Sequence, residues 1–134
     1  MSIDKLRELT NGLPPLKALI SERQINTVEW ETDGGTCIGF SLWDEKNASV
    51  IRAFLSKDTH FKRHIHPGCN ETMIVYSGQM KVKSNGDERL LKAGDSIILQ
   101  VNQPHETWAI TDVWLIGITV PASEGYPRAR KYVD

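Results

Sequence analysis

His64-Ile65-His66-Pro67-Gly68-Cys69-Asn70-Glu71 is the stretch on which the reading of this chain turns. Only four histidines occur in 134 residues, and three of them lie here or in the downstream pair Pro104-His105. On a β-strand, His-x-His sends two imidazoles to one face, with Cα atoms about 6.6–6.8 Å apart. Glu71, five residues beyond His66, adds a carboxylate, and His105 adds a third imidazole. Three nitrogens and one oxygen make a donor set suited to a single divalent ion.

The intervening loop carries strong turn chemistry. Proline presets φ and glycine accepts the positive φ of a type II turn, so Pro67-Gly68 can reverse the chain. If the flanking strands form a hairpin, His66 and Glu71 become direct cross-strand neighbours, with Cβ atoms about 4.5–5.5 Å apart. His105 depends on long-range folding. Gly94-Asp95 reads as a turn, Ser96-Ile97-Ile98-Leu99 as a strand, and Asn102-Gln103-Pro104 as the turn that delivers it.

The pattern His-x-His-x4-Glu-x6-Gly, ending at Gly78 and followed by Gly94-Asp95 and Pro104-His105, resembles the two signature motifs of the cupin superfamily. It departs from them in two places: Asp58 stands where a leading glycine is usual, and Gln100 and Asn102 stand where proline and glycine are common. The resemblance covers roughly residues 48–120. It implies an antiparallel double-stranded β-helix, the jelly-roll barrel, with metal ligands at His64, His66, Glu71 and His105. It also implies one divalent ion, and the donors suit iron, manganese, nickel or zinc alike. An octahedral ion with four protein donors keeps two positions open, whereas a tetrahedral zinc would be closed.

Outside the motif, strand and turn signals alternate from Ile25 onward. Strands are expected at Ile25–Glu31, Thr36–Trp43, Ser49–Leu55, Arg63–His66, Glu71–Val82, Glu88–Leu91, Ser96–Leu99, Glu106–Ala109 and Trp114–Val120. Asn85-Gly86 suits a type I′ hairpin turn. Short strands at this spacing predict an all-β sandwich or barrel. Residues 2–24 read instead as helical: Ser2 can cap a helix bearing Ile3, Leu6 and Leu9, and Pro14-Pro15 opens a segment bearing Leu16, Leu19 and Ile20. The expected organisation is therefore a helical extension over 1–24, a barrel over 25–125 and a solvated basic tail over 126–134.

Strand parity assigns the walls of the barrel. Met73 and Val75 share the face of Glu71, while Thr72, Ile74 and Tyr76 face away. Thr107 shares the face of His105. Lys62 has the parity of His64 and is placed at the barrel mouth, where it would hold an anion. His60 is read as a loop residue, Cys37 as a small core residue, and Cys69 as a turn residue facing solvent. Phe40, Leu42 and Phe54 are assigned to the core.

Composition narrows the function. With 40% hydrophobic residues, 25% charged residues and a net charge of −1, the chain has the balance of a globular domain and no basic run to attract nucleic acid or an anionic membrane. No apolar stretch approaches the length of a membrane span, and the N-terminus is too charged for a secretory signal, so a cytoplasmic protein is expected. Two cysteines are too few for a disulfide framework. The apolar 1–24 segment and uncovered sheet edges predict a homodimer. A metal-dependent enzyme acting on a small organic molecule, of dioxygenase, isomerase or lyase type with Glu71 as catalytic base, is the leading functional expectation. The alternative is a non-catalytic protein that binds or senses a small ligand in the same metal pocket.

Overall fold

Turn residues set the strand boundaries. A computed structural model describes residues 27–122 and 130–134, so the helical extension read for 1–24 lies outside the described residues. The strands are β1 (Thr27–Trp30), β2 (Cys37–Glu45), β3 (Ala48–Leu55), β4 (His60–Ile65), β5 (Asn70–Ser77), β6 (Gln79–Ser84), β7 (Asp87–Lys92), β8 (Ser96–Leu99), β9 (His105–Ala109), β10 (Val113–Val120) and β11 (Lys131–Tyr132). The described residues are all-β, and none of their helices is long and apolar enough to cross a membrane.

The strands form two antiparallel sheets. One has the order β1-β2-β3-β10-β5-β8 and the other β11-β4-β9-β6-β7. Their inner faces share one core, with Ile51, Ala53, Leu55, Met73, Val75 and Leu115 from the first meeting Met80, Val82, Leu91 and Ala109 from the second. This is the layered arrangement expected of a jelly roll, in which each sheet buries the apolar face of the other. Period-two alternation is plain on β8, where Ile97 and Leu99 are buried and Ile98 is exposed.

The hairpin at Asn85-Gly86 has the geometry its residues require. Both have positive φ, 53° and 82°, and the flanking Ser84 and Asp87 are paired, as a type I′ turn demands. Asp58, standing where a glycine was expected, also has positive φ, 69°. Aspartate is among the few residues whose short polar side chain tolerates that conformation.

Four expectations are corrected. The run Glu71–Val82 is two strands: Gly78, at φ +87°, turns the chain out of β5 in one sheet and into β6 in the other. His66 and Glu71 are not a hairpin pair, because β4 and β5 belong to different sheets and the Pro67-Gly68 loop crosses between them. His60 is a strand residue, opening β4 opposite Trp108 of β9. The end of the chain is not wholly solvated: Lys131 and Tyr132 pair with Ile65 and His64 at the edge of the second sheet.

Candidate metal centre

His64 comes from β4 and His105 from β9, and the pairing of those two strands sets them directly opposite one another. Their rings lie 4.2 Å apart between centroids. His66 follows the end of β4, with its ring 5.1 Å from His64 and 5.2 Å from His105. Glu71, at the start of β5, reaches across from the facing sheet, with its carboxylate oxygens 3.6 Å from His66 Nε2 and 3.8 Å from His105 Nε2. All four residues are buried, with exposures of 2–6%. The two motifs therefore converge, by a sheet-to-sheet crossing and not by a hairpin.

Backbone carbonyls fix the tautomers. His64 Nδ1 lies 2.5 Å from the carbonyl oxygen of Lys62, and His105 Nδ1 lies 2.9 Å from that of Gln103. A carbonyl can only accept, so each Nδ1 carries the proton and each Nε2 keeps a lone pair. Metal-binding histidines are oriented by this type of contact.

Burial keeps His64 and His105 uncharged. It pushes His64 down from 6.5 to about 3, reinforced by repulsion from His105 and His66 and opposed by its carbonyl partner. Burial also lowers His105, against the pull of the Glu71 carboxylate. Neutral imidazole is the form that binds metal. The ligand atoms of His64, His66 and His105 all lie within 4.8 Å of one another, and the cluster could hold a metal ion. The donor set fits, and so do the tautomers and charge state of His64 and His105.

A stability prediction follows from the same burial. In the unfolded chain His64 binds a proton near pH 6.5, whereas in the fold it binds one only near pH 3. Its contribution to stability is thus complete above the unfolded value and declines as pH falls toward the folded one. Between pH 7.5 and 4.5 the metal-free protein should lose about 3 kcal/mol through this residue. Urea titrations of wild type and His64→Gln at both pH values measure it, and equal losses in the two proteins would refute the assignment.

The cluster sits in a cavity partly open to solvent. Met73, Ile51, Leu55, Leu115, Met80 and Phe61 make much of its wall, so it is apolar with polar groups concentrated at the histidines. Apolar walls with a few convergent polar groups are the make-up of small-molecule sites. Thr107 lines it, as parity predicts, and so does Met73.

The sequence of these 134 residues matches the family pattern described as the cupin domain over residues 53–120. The chain belongs to the cupin family. Solved cupin folds agree. An RmlC-like cupin from Shewanella frigidimarina superposes with a TM-score of 0.66 at 23% identity, covering 79% of this chain and 90% of that one. KdgF from a Halomonas species gives 0.66 at 16% identity, covering 74% and 90%. A cupin-like protein from Thermotoga maritima gives 0.65 at 19%, covering 84% and 87%. No curated protein matches the chain.

Several residues of this cupin lie elsewhere than parity or turn chemistry placed them. Lys62 is exposed, with Nζ 3.8 Å from Asp33 Oδ1, and does not line the cavity. A bulge between Phe61 and His64 resets the alternation, so Phe61 joins His64 at the cavity and Lys62 is turned away. Cys69 is fully buried and not solvent-facing. His60 stands apart from the cluster. Its Nε2 is 2.6 Å from Glu106 Oε2, and its ring stacks on Trp108 at 5.2 Å. Cys37 is buried and lines the cavity, where burial pushes its thiol up and keeps it from being a thiolate. Tyr76 is on the outer face as expected, under Arg52 at 5.6 Å.

Two polar or aromatic lining residues at the ends of the described fold were among those the sequence reading did not place at the cavity. Trp30 at the end of β1 and Arg130 just before β11 both line it. The available signal for Arg130 was its two-residue spacing from Tyr132, which puts both on one face of a strand, but nothing local says that this strand forms.

Proposed function

We propose that this cupin is a metal-dependent enzyme acting on a small organic molecule, with dioxygenase, isomerase or lyase chemistry. The observation that carries this reading is the placement of three buried imidazoles, two of them (His64 and His105) neutral and oriented by backbone carbonyls, beside the Glu71 carboxylate at an open cavity with largely apolar walls. His64, His66 and His105 are assigned as nitrogen ligands and Glu71 as the oxygen ligand. A bound divalent ion would supply Lewis acidity at the ligand's oxygens. Glu71 is the one carboxylate among the cavity-lining residues, and when released from the ion it is the group able to accept a proton. The apolar walls exclude water and orient the carbon skeleton.

A second reading, a protein that binds or senses a small ligand without converting it, draws on the same lining. Besides the histidines and Glu71, the cavity offers few groups able to move a proton: the Cys37 thiol is held protonated by burial, and Thr107 is a neutral hydroxyl. Screening diketones, hydroxy acids, sugars and catechols by thermal shift, with product assays on each hit, separates the two. An oxygenase consumes dioxygen in its iron(II) form and is much slower with manganese, nickel or zinc. An isomerase or lyase works without oxygen and tolerates several metals. A ligand recovered unchanged with all four metals, while stabilising the fold in proportion to mass action, would establish the binding protein instead.

Homodimer assembly and a cytoplasmic location belong to the same proposal. Ile98, 63% exposed on the edge strand β8, supports a covered edge. Light scattering should return twice the 15.1-kDa chain mass, and the single-chain mass at micromolar concentration would remove the dimer.

A further inference from the structure

Arg130 has the surroundings of an anion anchor. The pairing of Lys131 with Ile65 and Tyr132 with His64 continues to put Arg130 on the face that carries His64 and His66. Its guanidinium lies 4.8 Å from the centre of the Phe61 ring and 5.9 Å from that of Tyr132, which hold its plane. One arm is committed, since Nη2 donates to the carbonyl oxygen of Glu31 at 2.7 Å. The other is not: Nη1 is buried and has no hydrogen-bond partner among the described residues. Trp30 Nε1, on another cavity-lining residue, is buried and unpartnered in the same way.

No ion pair neutralises Arg130 among the described residues. The one cavity-lining carboxylate, Glu71, has its oxygens among the histidines. A buried donor with nothing to bind is costly, and a planar guanidinium is best satisfied by a carboxylate.

We propose that Arg130 is the specificity-determining residue of the cavity, and that the ligand is a small organic acid whose carboxylate it receives. The rest of the acid extends along the apolar wall toward the histidine cluster. Trp30 Nε1 supplies a second, uncharged donor on the same wall. This assignment deepens the proposed function, because it rests on reading the cavity as the ligand site, but it does not require the ion to be bound.

Mandelate and mandelamide test it. They share the aromatic ring and the hydroxyl and differ in charge at one end. Calorimetry with the manganese-loaded and the metal-free protein should show mandelate binding about tenfold or more tightly than mandelamide. Arg130→Gln should abolish that preference while leaving manganese stoichiometry unchanged, and Arg130→Lys should retain part of it. Equal affinities for acid and amide, an unchanged preference in Arg130→Gln, or no mandelate binding at millimolar concentration would each overturn the assignment. Manganese stoichiometry is read separately. A wild type that prefers the acid yet takes up no manganese would leave Arg130 assigned and remove the metal reading instead.

Discussion

His64→Ala and His66→Ala should each lower divalent-metal affinity by more than about 100-fold, beyond what the loss of a merely orienting contact costs. The wild-type protein is expected to bind about one ion per chain. The size of the effect comes from the site's construction. Burial holds His64 neutral at about pKa 3, and a carbonyl fixes its Nδ1 proton, so no reorganisation is left to be done when an ion arrives. Alanine at 64 removes a donor and leaves a void between His66 and His105 that water fills less well. His105→Ala should behave similarly, because His105 is the cross-strand partner of His64 and is oriented by Gln103 in the same manner. Elemental analysis, followed by competitive titration with iron, manganese, nickel and zinc, measures the loss, and circular dichroism confirms that the variants fold. Full occupancy in His64→Ala, or a wild type that takes up none of the four metals, would sink the metal site. Full occupancy in His105→Ala alone would remove only that residue from the set.

Gly78→Ala should be the most destabilising single substitution at a turn, at about 3 kcal/mol or more. Gly78 sits at φ +87°, and a Cβ built there would overlap the carbonyl oxygen of Asp112 and come within 2.8 Å of the Thr111 hydroxyl. The surrounding contacts cannot yield without breaking the crossover. The neighbouring Gln79 carbonyl accepts from the amides of Ile110 and Thr111, and the Gln79 amide donates to the Thr111 hydroxyl. Gly86→Ala is the matched control. Gly86 has nearly the same φ, +82°, with nothing within 4 Å of the added carbon, so it registers the backbone strain without the collision. Its cost should stay near ~1 kcal/mol. Chemical denaturation of both variants reads the difference, and two equal losses would show that Asp112 moves aside freely.

Gly78 also shows how far the sequence could be read. As the last residue of the first motif it was visible, yet Glu71–Val82 still passed for one strand, because alternation continues on both sides of it. Asn85-Gly86 was different: the two residues dictate a turn type by their own backbone preferences, and the turn needs nothing distant. The same holds for the donor types at His64, His66, Glu71 and His105, which the motif spacing singled out. The route that brings them together was misread. A hairpin between His66 and Glu71 was consistent with every local signal, and so was the crossing between sheets.

The sequence by itself determined the positions of most turns, the inward and outward faces of most strands, the all-β class and the four residues that gather at the centre. The turns, the faces and the class follow from short-range sterics and from the two-residue period of a strand, which act within a few residues, whereas the four residues were singled out by the resemblance of their spacing to the cupin motifs. Tertiary structure alone decided that β4 and β5 lie in opposite sheets, that a bulge beside Phe61 turns Lys62 outward, that Cys69 is buried, and that the chain end returns beside β4 to place Arg130 at the cavity. Those outcomes depend on which strands pair and in which register, and that choice is made by burial summed over whole facing sheets. A lysine two residues before His64 was therefore a sound local candidate for a charge at the cavity mouth, and Arg130, 68 positions after that lysine and just before the last strand, lines the cavity instead.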